Sequence, residues 1–463
     1  MSQISIIQKS DILEAGRFDA EYFKPEYLDN LAIIKKNITR PLSFFIKGGY
    51  RVVYENTEII PQNELKKQKT VNFLQANDID GYFLKDKLKQ VKYADWEKYP
   101  KGRIKEGEIL IEVKGNAEKI TLVPSGYQLN TLVTGSLYKF TPINISGEFL
   151  LIWLTCKYGE NLKSKLKRNL MVHFIGKDDL HNIPVPVLSK SFQLEIEKTV
   201  KEAHQKQTKS KQLYFEAGQL LLAELGLVDY QPQHQLTFST TKNEVQQAGR
   251  FDGEYFQPKY FDIVEKIENY SGGFDTIKNI VFWKKGIEVG SDAYTKIGKD
   301  FVRVSDISVN GVEESNRKIS NTLFVEIKDN FQPKKDEILF TKDGTIGISH
   351  LLKNDIDGVV SSAFLKLSLK EEYQNFEKEC LTLILNSIIC KLQIEQLSGG
   401  AIIAHLKPSD FEKFKIPLIK TTIQTQIAKK ITLSHQLRKQ SKALLELAKL
   451  KVEQEIEKGG EQC

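Results

Sequence analysis

Two stretches of this 463-residue chain have residue types and spacing suited to chemistry. Asp95, followed by Glu112-Val113-Lys114, has the Asp…Glu-x-Lys order with which a nuclease holds a divalent ion and activates water. The second half of the chain has Thr341 and Asp343 at the places of Glu112 and Lys114, so that order is not repeated. Such triplets also arise by chance in a lysine-rich protein. The second stretch is Leu339-Phe340-Thr341-Lys342-Asp343-Gly344-Thr345-Ile346-Gly347, a charged, glycine-rich loop after an apolar run. Its backbone can approach DNA closely, with Lys342 on a phosphate and Asp343 or Thr345 near a base edge. A tight structural turn is the other reading. The loop lacks the GxxxxGK[ST] spacing of a phosphate-binding P-loop. No Asn-Pro-Pro-Tyr tetrapeptide and no helicase motif occur, so any catalysis is expected to come from partners. Seven histidines make no HxxxH or HExxH pattern, and Cys156, Cys380, Cys390 and Cys463 make no CxxC pair. Reduced thiols, no disulfide framework and no metal site are expected.

Residues that could meet a polyanion are spread over both halves. In the first they are Lys47, Arg51, Lys66, Lys67, Lys69, Lys114 and Asn116. In the second they are Lys284, Lys285, Ser291, Tyr294 and Lys296, with Lys342, Asp343 and Thr345 of the loop. Phosphate contacts would make affinity salt-dependent; solvated loop charge is the plainer explanation for any one lysine. A net charge of +7 tolerates a polyanionic partner without demanding one.

These residues are carried by a duplicated frame. Ala15-Gly16-Arg17-Phe18-Asp19-Ala20-Glu21-Tyr22-Phe23-Lys24-Pro25-Glu26-Tyr27 returns as Ala248-Gly249-Arg250-Phe251-Asp252-Gly253-Glu254-Tyr255-Phe256-Gln257-Pro258-Lys259-Tyr260. A period of half the chain implies two copies of one large unit, far above the repeat length of solenoids. A duplicated module without a catalytic signature suits a two-part target. Phe18, Tyr22 and Phe23 fall at helical spacing and are expected to pin each domain, with Arg17 and Asp19 paired locally; phosphate contact is the alternative.

After the motif each half has a strand-rich region of about 150 residues. Thr70-Val71-Asn72-Phe73-Leu74 matches Phe301-Val302-Arg303-Val304, and Glu108-Ile109-Leu110 matches Glu337-Ile338-Leu339. Phe282-Trp283-Lys284-Lys285 has only Phe44-Phe45-Ile46-Lys47 as a counterpart. Asp179 to Pro184 corresponds to Asp410 to Pro417 with a difference of two residues.

A long polar helix is expected to close each half. Ile196, Val200, Ala203, Gln207, Ser210, Tyr214, Ala217 and Leu221 alternate steps of four and three. At an offset of 231 stand Ile427, Ile431, Ser434, Arg438, Ser441, Leu445, Ala448 and Val452. A 3.5-residue period is a coiled-coil seam, and the small residues at its middle allow close helix approach. Paired within the chain, the helices would bury both seams over about 45 Å. Gly226 is the expected end of the first helix. The expected fold is α+β. Two similar mixed α/β recognition domains are separated by two long helices that form an antiparallel coiled coil, with an internal pseudo-two-fold repeat. The expected segments are a first domain over 1–188, a helix over 189–227, a linker over 228–242, a second domain over 243–420 and a helix over 421–458. With 40% apolar residues, no run of about 18 of them, and no basic-then-apolar start, a soluble cytoplasmic chain is expected.

In this order the motifs resemble the specificity subunit of type I restriction–modification enzymes. The paired GRFD-x-EYF-x-P segments, the Leu339–Gly347 stretch and the Asp179–Pro186 step before a Gln-x-x-Ile helix carry the resemblance. One departure is Val113-Lys114-Gly115-Asn116 in place of the second-half loop. The resemblance implies a non-catalytic chain whose domains each read one half of a split, asymmetric DNA site. Its helices would hold the halves apart and dock two modification subunits that methylate adenine with S-adenosylmethionine. Restriction subunits using ATP and Mg would join. A stand-alone metal-dependent endonuclease with a duplicated DNA-binding fold is the alternative.

Overall fold

Ile109-Leu110-Ile111-Glu112 and Ile338-Leu339-Phe340-Thr341 are buried at every position, as strands covered on both faces must be. Each is the middle of a sheet. The computed structural model describes residues 4–54, 56–168, 171–398 and 405–459, without the side chains of 62, 63 and 66. The chain forms two compact units, residues 1–207 with 439–463, and residues 208–438.

The first unit contains β1 (Ile46–Arg51), β2 (Thr70–Leu74), β3 (Lys89–Lys92), β4 (Ile109–Glu112), β5 (Ile120–Leu122), β6 (Thr131–Val133) and β7 (Leu137–Pro142). One sheet has the order β1-β7-β4-β5 and is antiparallel throughout. A second has the order β6-β2-β3, with β6 parallel and β3 antiparallel to β2.

The second unit contains β8 (Val281–Lys285), β9 (Lys299–Val302), β10 (Lys318–Ile319), β11 (Ile338–Thr341), β12 (Ser349–Leu351), β13 (Gly358–Val360) and β14 (Phe364–Leu369). Its sheets run β8-β14-β11-β12 and β13-β9-β10, with the same parallel and antiparallel pairings. The strand Tyr294–Thr295 extends the second of these beside β10. Although their sequences diverge, the two units therefore share one strand order.

Apolar helices cover the sheets. In the first unit Gly147–Thr155 is buried from Phe149 onward, and the Ser146 hydroxyl caps it by accepting from the Phe149 amide. In the second, Lys378–Asn386 and Ile388–Leu397 form a bent pair. Together they match a membrane span in length and composition, but Cys380–Leu385, Ile389, Cys390 and Leu392 are core residues here. No single helix among the described residues is long and apolar enough to cross a membrane.

Two long helices, Lys190–Glu224 and Thr421–Lys458, pass through both units. In the first unit Ile196, Val200 and Ala203 share one core with Leu445, Ala448 and Val452, and with Ile109, Phe140 and Trp153. In the second, Ala217 and Leu221 share a core with Ile427 and Ile431, and with Phe340, Leu365 and Phe411. Ser210, Ser434 and Ser441 are buried and Tyr214 is half-buried. Within each unit the numbering of the two helices runs in opposite directions. Glu195 meets Lys451 and Ala203 meets Ser441 in the first, while Ser210 meets Ser434 and Glu216 meets Lys430 in the second. The helix segments are thus core elements of the units, and the boundary between the units falls inside each helix. Gly226, at φ +65, follows the last turn of the first long helix.

Two sequence expectations change. The GRFD motif is not one helix: Lys9–Ala15 ends at left-handed Gly16, Arg17-Phe18-Asp19 runs on, and a 3-10 turn spans Ala20–Phe23. Phe23 and Phe256 are buried anchors, but Phe18 and Phe251 are 83% and 89% exposed. The expected Arg17–Asp19 pair is present at 2.6 Å, as is Arg250–Asp252 at 2.7 Å. Secondly, the closing segments match without a gap. Pro186 pairs with Thr39 and Pro417 with Phe274, each at the same place in a two-stranded ribbon, so Pro417 corresponds to Pro186 and not to Pro184.

Candidate nucleic-acid interface

The end of β1, the turn after β2 and the loop after β4 enclose a polar cleft of about 800 Å³ in the first unit. Arg51, Lys114 and Asn116, all singled out in the sequence, line it. Gln75, Asn77 and Lys89 join them, and sequence reasoning missed these three. Their signal was weak, since Gln75 and Asn77 belong to a short turn and Lys89 opens an edge strand. Arg51 also lines an adjoining recess of about 360 Å³ with Lys114, Val172 and Phe174, and its guanidinium lies 5.5 Å from the Phe174 ring centre. Its Nε is buried and has no hydrogen-bond partner among the described residues.

The loop bearing Lys114 and Asn116 is held from below by Glu112. This carboxylate is buried and accepts from the backbone amides of Asn116, Glu118 and Lys119 at 3.3, 3.1 and 3.3 Å. Gly115 has φ +121, and a Cβ there would meet Glu112 Oε1 at 2.5 Å, so the turn needs glycine. Lys114 pairs with Phe174 in a short ribbon, which fixes the loop from its other side.

The second unit repeats the scaffold with different side chains. Arg51 stands opposite Tyr138 on β7, and Lys285 opposite Leu365 on β14. Since Leu137 faces Glu112 and Phe364 faces Thr341, Arg51 and Lys285 hold the same place. Thr341 replaces Glu112 as the loop brace. Its hydroxyl accepts from the Ile348 amide at 2.9 Å and donates to the Thr345 carbonyl at 2.6 Å. Asp343, in the place of Lys114, bridges to His405 as Lys114 does to Phe174, and the His405 ring meets its carboxylate. Arg303 stands where the first unit has Gln75: each backbone amide donates to an Asp carboxylate three residues on, Asp306 and Asp78. The Nε of Arg303 is buried without a hydrogen-bond partner among the described residues.

Other expected contact residues are dispersed. Lys47 is exposed near the start of β1, away from the cleft lining, because β1 is bulged between its two ends. Lys67 and Lys69 are exposed, and Lys69 Nζ lies 3.4 Å from the Tyr93 ring centre. The side chain of Lys66 lies outside the described residues. Lys284, Ser291, Lys296 and Thr345 are exposed, while Tyr294 is half-buried with the Arg317 guanidinium 5.5 Å from its ring centre. Lys342 departs from expectation. It is 2% exposed with its ammonium 2.5 Å from Asp343, because the chain alternation that exposes Asp343 turns its neighbour inward. It braces Asp343 and does not reach a phosphate.

The nuclease constellation does not assemble. Glu112 is engaged by the turn amides, and Asp95 sits on the helix Tyr93–Lys98, accepting from Thr57 at 3.2 Å. No group of three or more His, Cys, Asp or Glu among the described residues could hold a metal ion. Cys156, Cys380 and Cys390 are free and buried, and burial pushes the Cys156 thiol up to about 12.

Residues 288–447 match the family model described as the type I restriction modification DNA specificity domain. The match covers about a third of the chain. The matched residues run from Glu288 through most of the second unit into the second long helix, and the first unit has the same strand order. Solved specificity subunits are similar at low identity. The S subunit of the type I restriction-modification system from M. genitalium is 13% identical, with 92% of this chain and 96% of that chain covered and a TM-score of 0.42. The HsdS subunit from Thermoanaerobacter tengcongensis is also 13% identical, covering 91% and 96%, with a TM-score of 0.27. A chain from a structure concerned with complex assembly and conformational transition of the type I R-M system is 12% identical, covering 91% and 96%, with a TM-score of 0.30. No curated protein matches the chain.

Proposed function

We propose that this chain is the non-catalytic, sequence-specific DNA-recognition subunit of a type I restriction–modification complex. Each unit reads one half of a bipartite, asymmetric site. The two long helices form an antiparallel coiled coil that sets the spacer and docks two modification subunits. The observation that carries this reading is the shared strand order of the units combined with the divergence of their loops. Arg51, Lys114 and Asn116 in one correspond to Lys285, Asp343 and Thr345 in the other. A duplicated scaffold with unlike reading loops suits two unlike half-sites. Phosphate contacts by exposed lysines position the protein, and loop side chains at base edges specify sequence.

Catalysis belongs to partners on this reading. The modification subunits supply adenine methylation with S-adenosylmethionine, and restriction subunits supply ATP- and Mg-dependent translocation and cleavage. The engaged Glu112 speaks against the endonuclease alternative. Methylome sequencing of the host with and without this gene tests the proposal. One split adenine-methylated motif should vanish on deletion, and an unchanged methylome would reject it.

A further inference from the structure

The repeated GRFD segment does something the DNA reading leaves unused: it displays a phenylalanine. Phe18 and Phe251 are 83% and 89% exposed, yet the backbone around each is fixed in the same way. Gly16 and Gly249 turn the chain at φ 58 and 61. Asp19 and Asp252 accept from the Tyr22 and Tyr255 amides at 3.1 Å in both units. Arg17 and Arg250 clamp those carboxylates and lie 4.9 and 4.7 Å from the centres of the Tyr22 and Tyr255 rings. Each tyrosine then meets Phe23 or Phe256 edge-on at 4.9 Å. A pedestal of arginine, aspartate and tyrosine thus holds an apolar ring out in water, and does so twice.

Exposed positions nearby have drifted. Leu13, 65% exposed, corresponds to Gln246, and the exposed Glu14 and Ala20 correspond to the exposed Gln247 and Gly253. A ring left more than four-fifths exposed has little reason of stability to stay the same. The reading loops, which meet different half-sites, became different. Surface that stays identical in both units meets the same thing twice.

That occupant is a protein and not DNA. The cations within the two repeated segments are paired, Arg17 and Arg250 with their aspartates, Lys24 with Glu21 at 2.5 Å and Lys259 with Glu254 at 3.5 Å, and Lys165 over the Tyr22 ring is buried. A phosphate backbone requires free positive charge. A neutral rim around one aromatic side chain instead suits an apolar socket on a protein. We infer that Phe18 and Phe251 are paired docking pins, each entering the same apolar socket on one of two identical copies of the modification subunit. This rests on the recognition-subunit reading above.

The test uses the full chain co-expressed with the host's modification subunit, with copies bound counted by native mass spectrometry. Wild type should carry two copies. Phe18→Ala and Phe251→Ala should each carry one, and the double variant none at concentrations that saturate wild type, a loss of at least about tenfold in affinity at each site. Thermal melts of the variants should match wild type, because the rings are 83% and 89% exposed. A double variant that holds two copies with unchanged affinity would overturn the pins while leaving the recognition reading in place. Wild type that binds no modification subunit would overturn both. A variant that loses DNA affinity on its own would make the phenylalanines DNA wedges and overturn the protein socket.

Discussion

Ser441 donates its hydroxyl to the carbonyl of Ala203 at 2.7 Å, from one long helix to the other. At the equivalent pair of the second unit, offset by 231 residues, donor and acceptor are exchanged: Ser434 donates to the Ser210 carbonyl, also at 2.7 Å. Both serines are buried, so each bond forms only where the backbones come close. Ser441→Ala should cost about 1 kcal/mol for the lost bond. Ser441→Leu should cost more, about 1–3 kcal/mol, by forcing the helices apart. Urea denaturation of the two variants checks the order. A leucine at least as stable as serine would mean that close approach is not what the small residue serves.

His435 makes the second unit acid-sensitive. Burial pushes its imidazole down to about 4, with His350, Arg438 and Lys353 disfavouring its charge and Glu379 opposing them. Its ring lies edge-on to Tyr214 and His350. The unfolded chain therefore binds a proton that the folded chain refuses, so stability is lost as pH falls from about 6.5 towards 4. The loss should be about 2 kcal/mol by pH 5. Amide exchange of the second long helix should quicken over this range in wild type and less so in His435→Gln. Equal pH dependence in both would assign the effect to other groups.

Arg51 and Lys285 share one structural place but differ in what they can read. A planar guanidinium can hold guanine O6 and N7 together, whereas an ammonium is a point charge. Arg51→Ala should relax one position of the first half of the methylated motif and cost about 1–3 kcal/mol in binding. Lys285→Ala should weaken binding across sequences and lower the salt slope by about 1. Binding selections with the half-sites randomised separate the two outcomes. A relaxed position in the second half after Arg51→Ala would contradict independent reading by the units.

Glu112 is a brace for the loop that carries Lys114 and Asn116. Glu112→Ala removes the acceptor for three turn amides and should disorder Lys114–Asn116, weakening binding to the first half-site about tenfold or more while binding to the second half-site is kept. Glu112→Gln, which keeps an acceptor, should be milder. Competition between oligonucleotides with one half-site scrambled reads this directly.

If the helices are the ruler, seven residues inserted into each, after Gln207 and after Arg438, leave both unit cores intact and add about 10 Å. The spacer of the methylated motif should lengthen by about three base pairs. An unchanged spacer at unchanged affinity would move the ruler to the modification subunits.

The sequence by itself determined the duplication, the buried central strands and the seam of each long helix. These are local or periodic properties: a 3.5-residue repeat or an all-apolar strand announces its burial wherever it folds. Arg17 with Asp19 was legible for the same reason, being two residues apart. Tertiary structure decided what distant segments do together. Gln75, Lys89 and Lys114 come to one cleft only because the β2 and β4 sheets present their ends to the same side. Lys342 turned inward because strand alternation, which a loop reading ignores, continues one residue past β11. The match of Arg51 with Lys285 is invisible in sequence, since a bulge in β1 shifts the register there; pairing with β7 and β14 restores it. Phe18 looked like an anchor by spacing, and only the left-handed turn at Gly16, which breaks the helix before it, sends the ring outward.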